Sequence, residues 1–161
     1  MPIVANELKY FESSNGNLGG AVGVTEIVDN TLHNLFDLVT TAEAAAGSIS
    51  YRCIYVKNEN ATLTLANTVL FIQADTPNTD SSIEIAIGTS VINGSELSIV
   101  DENTAPVGPV FTGAVGSDFG PSIGDLPADS TQAIWIKRII IADSNSALND
   151  TAIISMQGDT A

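Results

Sequence analysis

From residue 49 onward the chain consists of short runs rich in β-branched residues. Clusters of Gly, Pro, Asn and Asp interrupt these runs roughly every 8–12 residues, a spacing that is typical of all-β domains. Residues 82–88 alternate in character, so that Ile83 and Ile85 share one face and Glu84 lies on the other. We therefore expect a sheet with one buried face and one face in water.

Further runs of the same kind predict the other strands. The run at residues 133–141 is the most apolar, and we expect it and the closing run at residues 151–158 to be central strands. A turn at residues 58–61 separates two runs and predicts a hairpin. The remaining strand-like runs are residues 8–11, 24–28, 50–57, 62–65, 68–74 and 96–100.

One segment has the composition of a helix. Residues 41–46 are rich in Ala, with Thr40 or Thr41 placed to cap the first turn, Glu43 inside that turn and Gly47 at the end. We expect a helix of one or two turns. About eight strands and one short helical turn predict an all-β fold, a single β-sandwich that is jelly-roll-like in topology.

Two segments are rich in turn-forming residues. Residues 13–20 resemble a flexible linker, so we expect residues 1–30 to be an N-terminal arm with short strands and residues 31–161 to be the β-sandwich domain. Residues 101–130 are rich in Gly and Pro and predict a long loop. Loops of this length in compact domains usually have a binding or contact role.

With 161 residues, the chain is long enough for one domain with a single core.

The charge of the chain is strongly one-sided. Nineteen acidic residues face five basic ones, which gives a net charge of -14. This balance opposes binding to nucleic acid or to an anionic membrane and favours a partner that carries a basic patch.

The sequence also predicts where the chain is made. No apolar run approaches the ~20 residues of a membrane helix, and the N-terminal residues do not have the pattern of a signal peptide. We therefore expect synthesis in a cytoplasm. Cys53 is the single cysteine, which excludes an internal disulfide and favours a small buried apolar role for its side chain.

Few residues are suited to catalysis. His33 is the single histidine, and we expect it to have a structural role. Residues 120–124 match the Gly-x-Ser-x-Gly pattern around Ser122, but that pattern activates a serine only at a turn from a strand into a helix, and Pro121 and Pro127 oppose a helix here. We expect no catalytic residue, no cofactor and no enzymatic activity.

Carboxylates occur in pairs along the loops, and such pairs raise the question of a calcium site. Only residues 143–145 begin like an EF-hand loop, and the twelfth position of that loop has no Glu, so an EF-hand is excluded. We expect no metal ligands, although an irregular calcium site between loops stays open. The other carboxylate pairs are Asp75/Asp80, Asp101/Glu102 and Asp125/Asp129.

Nine segments that consist of turns and strands are spread over the chain from residue 34 to residue 160. They are residues 34–37, 42–47, 51–58, 61–63, 87–89, 101–106, 125–128, 133–138 and 157–160. Together these segments are similar to a group of small β-sandwich virion proteins of tailed bacteriophages. Residues 139–141 depart from the pattern, because they are apolar where the group has a more polar turn.

This resemblance implies a capsid decoration or cement protein that binds the outer surface of the shell and stabilises it by non-covalent contacts. Its partners would be the major capsid protein and further copies of itself, in a homo-oligomer that we expect to be a trimer, and its location would be the capsid surface of the virion. Our candidate contact residues are Leu8, Tyr10 and Phe11 in the arm and Phe111 and Phe119 in the long loop.

Two other functions stay open. A tail-associated or host-recognition module would bind a cell-surface glycan through the long loops, where Phe111 and Phe119 are the aromatic candidates. A small hydrolase would depend on His33 and Ser122, and the sequence around Ser122 argues against it.

Overall fold

The computed structural model describes residues 2–29, 31–145 and 150–161. Eight strands and one short α-helix confirm the predicted all-β sandwich. The helix α1 is Thr41–Ala46, and short 3-10 turns lie at Ala5–Glu7 and Ser117–Phe119. The strands are β1 (Leu8–Ser13), β2 (Val22–Glu26), β3 (Ser48–Asn58), β4 (Leu65–Ala74), β5 (Ser81–Ile87), β6 (Ser122–Leu126), β7 (Ser130–Ile140) and β8 (Ile153–Thr160).

The strands form two antiparallel sheets. The larger sheet has the order β2-β1-β3-β7-β5, and the smaller has the order β6-β4-β8. The consecutive strands β3 and β4 pair with β7 and β6, one pair in each sheet. A jelly roll winds its strands in this way, so the topology is jelly-roll-like as expected.

The longest strand pair of the large sheet is β3 with β7. Eleven residue pairs are in register, from Ser48 opposite Ile140 to Asn58 opposite Ser130. Even-numbered residues of both strands face the small sheet, where apolar residues from both sheets form the main core. The buried members of this core are Ile54, Val56, Leu65, Leu70, Ile72, Ile83, Ile85, Leu126, Ile134 and Ile136.

The opposite face of the large sheet, which we call the outer face, is also buried at its centre. Residue Ala86 of β5 has no exposed surface there, so the expectation that this face lies in water is wrong at the centre of the sheet. Loop residues pack on it and replace a second sheet. The buried cluster on the outer face contains Tyr51, Cys53, Tyr55, Ala86, Ile99, Ala133 and Trp135.

The predicted hairpin at residues 58–61 is wrong, because β3 and β4 lie in different sheets. The side-chain amide of Asn58, which is fully buried, donates hydrogen bonds to the carbonyls of Leu63 (2.9 Å), Leu126 (3.1 Å) and Pro127 (3.2 Å). These bonds hold the connection as an arch from one sheet to the other. The strand that follows begins at Leu65, and residues 62–64 are not part of it.

Three other strand predictions need correction. Strand β8 is at the edge of the small sheet, so only β7 of the two expected central strands is central. Residues 96–100 do not form a strand, and Glu96 makes only an isolated bridge to Gly20. The predicted long loop contains β6, which the sequence hides because it is short and includes Gly124 at a φ of 84°.

The N-terminal segment contributes strands to the large sheet. Strand β1 pairs with β3 in continuous register from Leu8 opposite Asn58 to Glu12 opposite Ile54, and β2 pairs with β1. Ile3 and Ile27 also pack against the main core. The strands of the predicted arm are therefore part of the sandwich. The predicted boundary at residue 30 lies outside the described residues.

The predicted helix is present with the expected cap. The N–H of Glu43 donates to the Thr40 hydroxyl (3.2 Å), and the Thr40 N–H donates to the Glu43 carboxylate (2.7 Å). This capping box starts α1. The bonds that the Thr40 N–H and, at 2.8 Å, the Thr40 hydroxyl donate to the Glu43 carboxylate hold the pKa of Glu43 below its ordinary value. Gly47 ends the helix at a φ of 76°, where a side chain would be strained.

We predict that Ile134→Ala lowers the free energy of unfolding by about 2–5 kcal/mol, because the Ile134 side chain is fully buried between the sheets and its loss leaves a cavity. Urea unfolding followed by circular dichroism measures the change. Ile153→Ala on the edge strand β8 is the matched control, since Ile153 is 49% exposed and should lose less than about 1 kcal/mol. Equal losses in the two variants would contradict the assignment of the core.

Candidate functional site

Two loop segments cover the outer face of the large sheet, and we call residues 14–20 and 88–112 the loop layer. Ile99 is part of the buried cluster on this face, and Leu18 and Phe111 pack against the same cluster. The Phe111 ring meets the Tyr51 ring edge to face, with 5.6 Å between their centroids. The loop layer is therefore a packed layer of the fold.

The Tyr55 hydroxyl joins the two segments of the loop layer. It donates a hydrogen bond to the Gly20 carbonyl and accepts one from the Glu96 N–H at 3.0 Å. Gly20 and Glu96 also exchange two backbone hydrogen bonds with each other, both of 3.0 Å. Burial raises the pKa of Tyr55, so the hydroxyl stays protonated and can act as the hydrogen-bond donor to Gly20.

The carboxylate of Glu96 organises the start of the second segment. Glu96 is buried, and its carboxylate accepts hydrogen bonds from the Thr89 hydroxyl (2.8 Å) and the Ser90 N–H (2.9 Å). Burial alone raises the pKa of Glu96, but the bonds from Ser90 and Thr89 together outweigh it and hold the pKa below its ordinary value. A Cβ at Gly88 would collide with this carboxylate, so glycine is required there.

Backbone hydrogen bonds also join the loop layer to the edges of the sheet. Beyond the end of β1, the N–H groups of β3 are satisfied by loop carbonyls: Tyr51 donates to Glu102 (2.7 Å) and Cys53 donates to Asn17 (2.7 Å). On the other edge, Ile85 exchanges two bonds of 2.9 Å with Thr112. These bonds fix the loop layer at both sides of the large sheet.

A cluster of charged and aromatic side chains attaches the loop layer at the first half of β3. The Phe36 ring lies under two guanidinium groups, 5.4 Å from that of Arg52 and 4.7 Å from that of Arg138. Arg52 is buried and pairs with Glu102 of the loop layer, and Arg138 donates to the Asp37 carbonyl at 2.7 Å. Burial lowers the pKa of Arg138.

Most of the basic side chains form ion pairs with carboxylates of the same chain. Besides Arg52, all three lysines pair with carboxylates at 3.0 Å or less: Lys9 with Glu26, Lys57 with Asp129, and Lys137 with Glu84. Thirteen of the nineteen acidic residues take no part in an ion pair of the described residues. The surface that a partner meets is therefore acidic.

The solvent side of the loop layer is apolar at five positions. Each of these side chains is at least 70% exposed, and two of them, Val100 and Val110, adjoin residues that pack on the outer face. Soluble proteins often expose single apolar residues, but a concentration within one layer is typical of a contact surface. The five residues are Val91 (78%), Leu97 (70%), Val100 (82%), Val107 (85%) and Val110 (82%).

The five predicted contact residues do not form one surface. Leu8 and Tyr10 are half-buried and pack against the core between the sheets, whereas Phe11 and Phe111 pack on the outer face. Phe119 is 64% exposed and ends a 3-10 turn. As partner contacts all five stay predictions. The exposed valines of the loop layer were missed, because short apolar pairs such as Ile99–Val100 and Val110–Phe111 do not show from the sequence which member faces the solvent.

A shallow cleft of about 290 Å³ lies beside the loop layer on the outer face. The Lys57 ammonium sits 5.8 Å from the centre of the Phe11 ring at this place and 3.0 Å from the Asp129 carboxylate. The cleft thus combines an apolar ring with charged and amide groups. Its walls are Phe11, Val22, Gly23, Lys57, Asn93, Asp129 and Thr131.

The loop carboxylates that raised the question of calcium are used as local acceptors. Asp75 accepts from the N–H of Ile83 (3.0 Å), Asp80 from Asn145 (2.9 Å), and Asp101 from Asn103 (3.0 Å). Across the described ranges, no three or more His, Cys, Asp and Glu residues lie close enough to share a metal ion. Residues 146–149, between Asp143 and Asp150, are outside those ranges.

The two residues considered for catalysis lie in exposed turns and strands. His33 is exposed at a φ of 58°, in a turn between β2 and α1. Ser122 opens strand β6, and its hydroxyl accepts a hydrogen bond from the Gly124 N–H at 3.2 Å. A strand follows this serine where the nucleophile motif requires a helix.

Comparison with known protein families, curated proteins and solved structures found no match. None of the helices in the described part of the chain is long and apolar enough to cross a membrane. The candidate site therefore depends on the geometry of the loop layer itself.

We predict that Glu96→Gln lowers the free energy of unfolding by about 1–2 kcal/mol at pH 7, because an amide accepts hydrogen bonds less strongly than a buried carboxylate. Since the pKa of Glu96 is lowered in the fold, its contribution is complete above the ordinary pKa of 4.5 and is lost as the pH falls through the lowered value. Urea unfolding of wild type and variant between pH 3 and pH 7 measures the difference.

The control is Glu12→Gln on β1, whose carboxylate accepts no hydrogen bond from the described residues; its effect should stay within about 0.5 kcal/mol. A Glu96→Gln difference that is the same at pH 3 and pH 7 would show that the carboxylate charge does not hold the loop.

Proposed function

We propose that the protein is a virion structural protein of a tailed bacteriophage, a decoration or cement protein that binds the outer capsid surface. The observation that carries this proposal is the loop layer, which combines a fixed backbone with five exposed apolar side chains. A fixed apolar surface supports binding without a large cost of ordering loops. This surface is suited to stable contact with another protein.

The charge supports a shell as the partner. With thirteen carboxylates outside the ion pairs, the protein attracts basic grooves and is repelled by DNA and by anionic cell surfaces. Each contact with the shell can be weak, because several copies joined in one oligomer bind the shell together with high avidity. The proposed mechanism is buried area between subunits, without a chemical step.

The proposal includes a homo-oligomer, a trimer over the local symmetry axes of the shell. The strands β2 and β8 each lie at one edge of their sheets, and edges supply unpaired backbone groups for contact between copies. Val24 of β2 is 98% exposed and Ile153 of β8 is 49% exposed, so both edges have apolar side chains available.

The cleft at Phe11 favours a second candidate function, a tail-associated module that binds a cell-surface glycan. The Phe11 ring lies beside the charged groups of Lys57 and Asp129. Proteins bind sugars with such a combination, in which the ring packs against the apolar face of the sugar and the polar groups bind its hydroxyls. The capsid role has the stronger support, because the cleft is shallow and the loop layer is large.

We predict that the purified protein binds capsids of its presumed phage from which the native copies have been removed, and that binding raises the temperature at which the particles break. Cosedimentation and cryo-electron microscopy measure binding and position. Bound density should appear regularly on the shell, and binding should weaken as salt rises from about 0.05 to 0.5 M, because opposite charges are screened. Purified tails are the comparison. Bare shells, or density on tails only, would contradict the capsid role and favour the second candidate.

A further inference from the structure

We infer that the loop layer is the face that docks on the shell, with its exposed valines and Leu97 against an apolar patch that has a basic rim. This inference rests on the proposed capsid role and adds to it the docking surface and the chemistry of the partner.

The exposed side chains are fixed in place by buried neighbours. Val100 follows Ile99, which is buried against the sheet and whose N–H donates to the Leu18 carbonyl at 2.9 Å. Val110 precedes Phe111, whose ring packs on Tyr51. Because the neighbours point inward, these valines are held outward, and a partner need not order the chain before binding it.

The segments that carry the exposed residues lie next to each other. A Cβ at Gly108 would lie 2.6 Å from the Thr89 side chain, so the backbone beside Val107 packs against the start of the second segment. Thr89 in turn donates to Glu96, which precedes Leu97. The backbone beside Val107 and the backbone beside Leu97 are therefore joined through Thr89.

An acidic residue accompanies the apolar positions and favours a basic partner. Asp101 follows Val100 and is exposed, whereas the carboxylates of Glu96 and Glu102 are used inside the protein by hydrogen bonds and by the ion pair with Arg52. No lysine or arginine lies within residues 88–112, so a second copy of this chain would bring like charges together. A partner with basic groups around an apolar patch satisfies both features of the surface, and like charges disfavour contact between the loop layers of two copies.

The predicted arm is less suited to this contact. Leu8 and Tyr10 pack against the core between the sheets, and burial raises the pKa of Tyr10. Their side chains would have to leave the core before they could touch a shell. The loop layer needs no such rearrangement.

The test compares two triple variants in the shell-binding experiment. The first is Val100→Ser, Val107→Ser and Val110→Ser, which removes three side chains of the loop layer that are each at least 82% exposed. The control is Val28→Ser, Leu32→Ser and Leu38→Ser, whose side chains are 57–69% exposed and lie outside the loop layer and outside the sheet edges. Trp135 fluorescence and the thermal midpoint check that both variants fold.

We expect the loop-layer variant to bind shells at least about tenfold more weakly than wild type, with an unchanged thermal midpoint, and the control to bind like wild type. Should the loop-layer variant fail to fold, the single variants Val100→Ser, Val107→Ser and Val110→Ser replace it, and at least one should bind about threefold or more weakly.

Two results would overturn the inference while the capsid role stands. One is unchanged binding of the loop-layer variants to shells that wild type binds, and the other is an equal loss in the control. If wild type itself does not bind shells, the capsid role fails and the docking surface fails with it. Binding of wild type to tails in place of shells counts as the same failure.

Discussion

The strands β3 and β7 form an antiparallel pair that is apolar on both faces, and the rest of the chain must cover both. Ile54 and Ile134 face one side, Tyr55 and Trp135 face the other, and all four are at most 3% exposed. The small sheet covers the first side. No second sheet covers the outer face in the described ranges, so ordered loops do so, with the hydroxyl of Tyr55 bonded to both of their segments.

Local patterns were sufficient to predict several elements of this fold, but they did not predict the long-range pairing of the strands. The cap at Thr40 and the alternation around Ile83 depend on a few neighbouring residues, and both predictions are confirmed. The arch at Asn58 depends on carbonyls of Leu63, Leu126 and Pro127, two of which are far away in the chain. Residues 58–61 therefore predicted a hairpin where the chain changes sheets.

The candidate site was less predictable than the fold. Aromatic residues attract attention in a sequence, yet Tyr10 and Phe111 serve mainly to pack the two faces of the large sheet. The exposed side chains of the loop layer are ordinary valines, and their exposure depends on Ile99 and Phe111 taking the inward positions. The four consecutive apolar residues 133–136 of β7 carried one available signal, because a strand buried on both faces requires a second covering layer.

Hydrogen–deuterium exchange of the free protein tests most directly the claim that the loops are a fixed layer. The amides of Gly20, Glu96 and Ile99 donate hydrogen bonds within the loop layer, and those of Tyr51 and Cys53 donate to it from β3. The account predicts that all five exchange as slowly as amides in the middle of β7 at neutral pH. Exchange of Gly20, Glu96 and Ile99 at the rate of an unstructured chain would contradict it, because a mobile loop layer would not hold its valines outward.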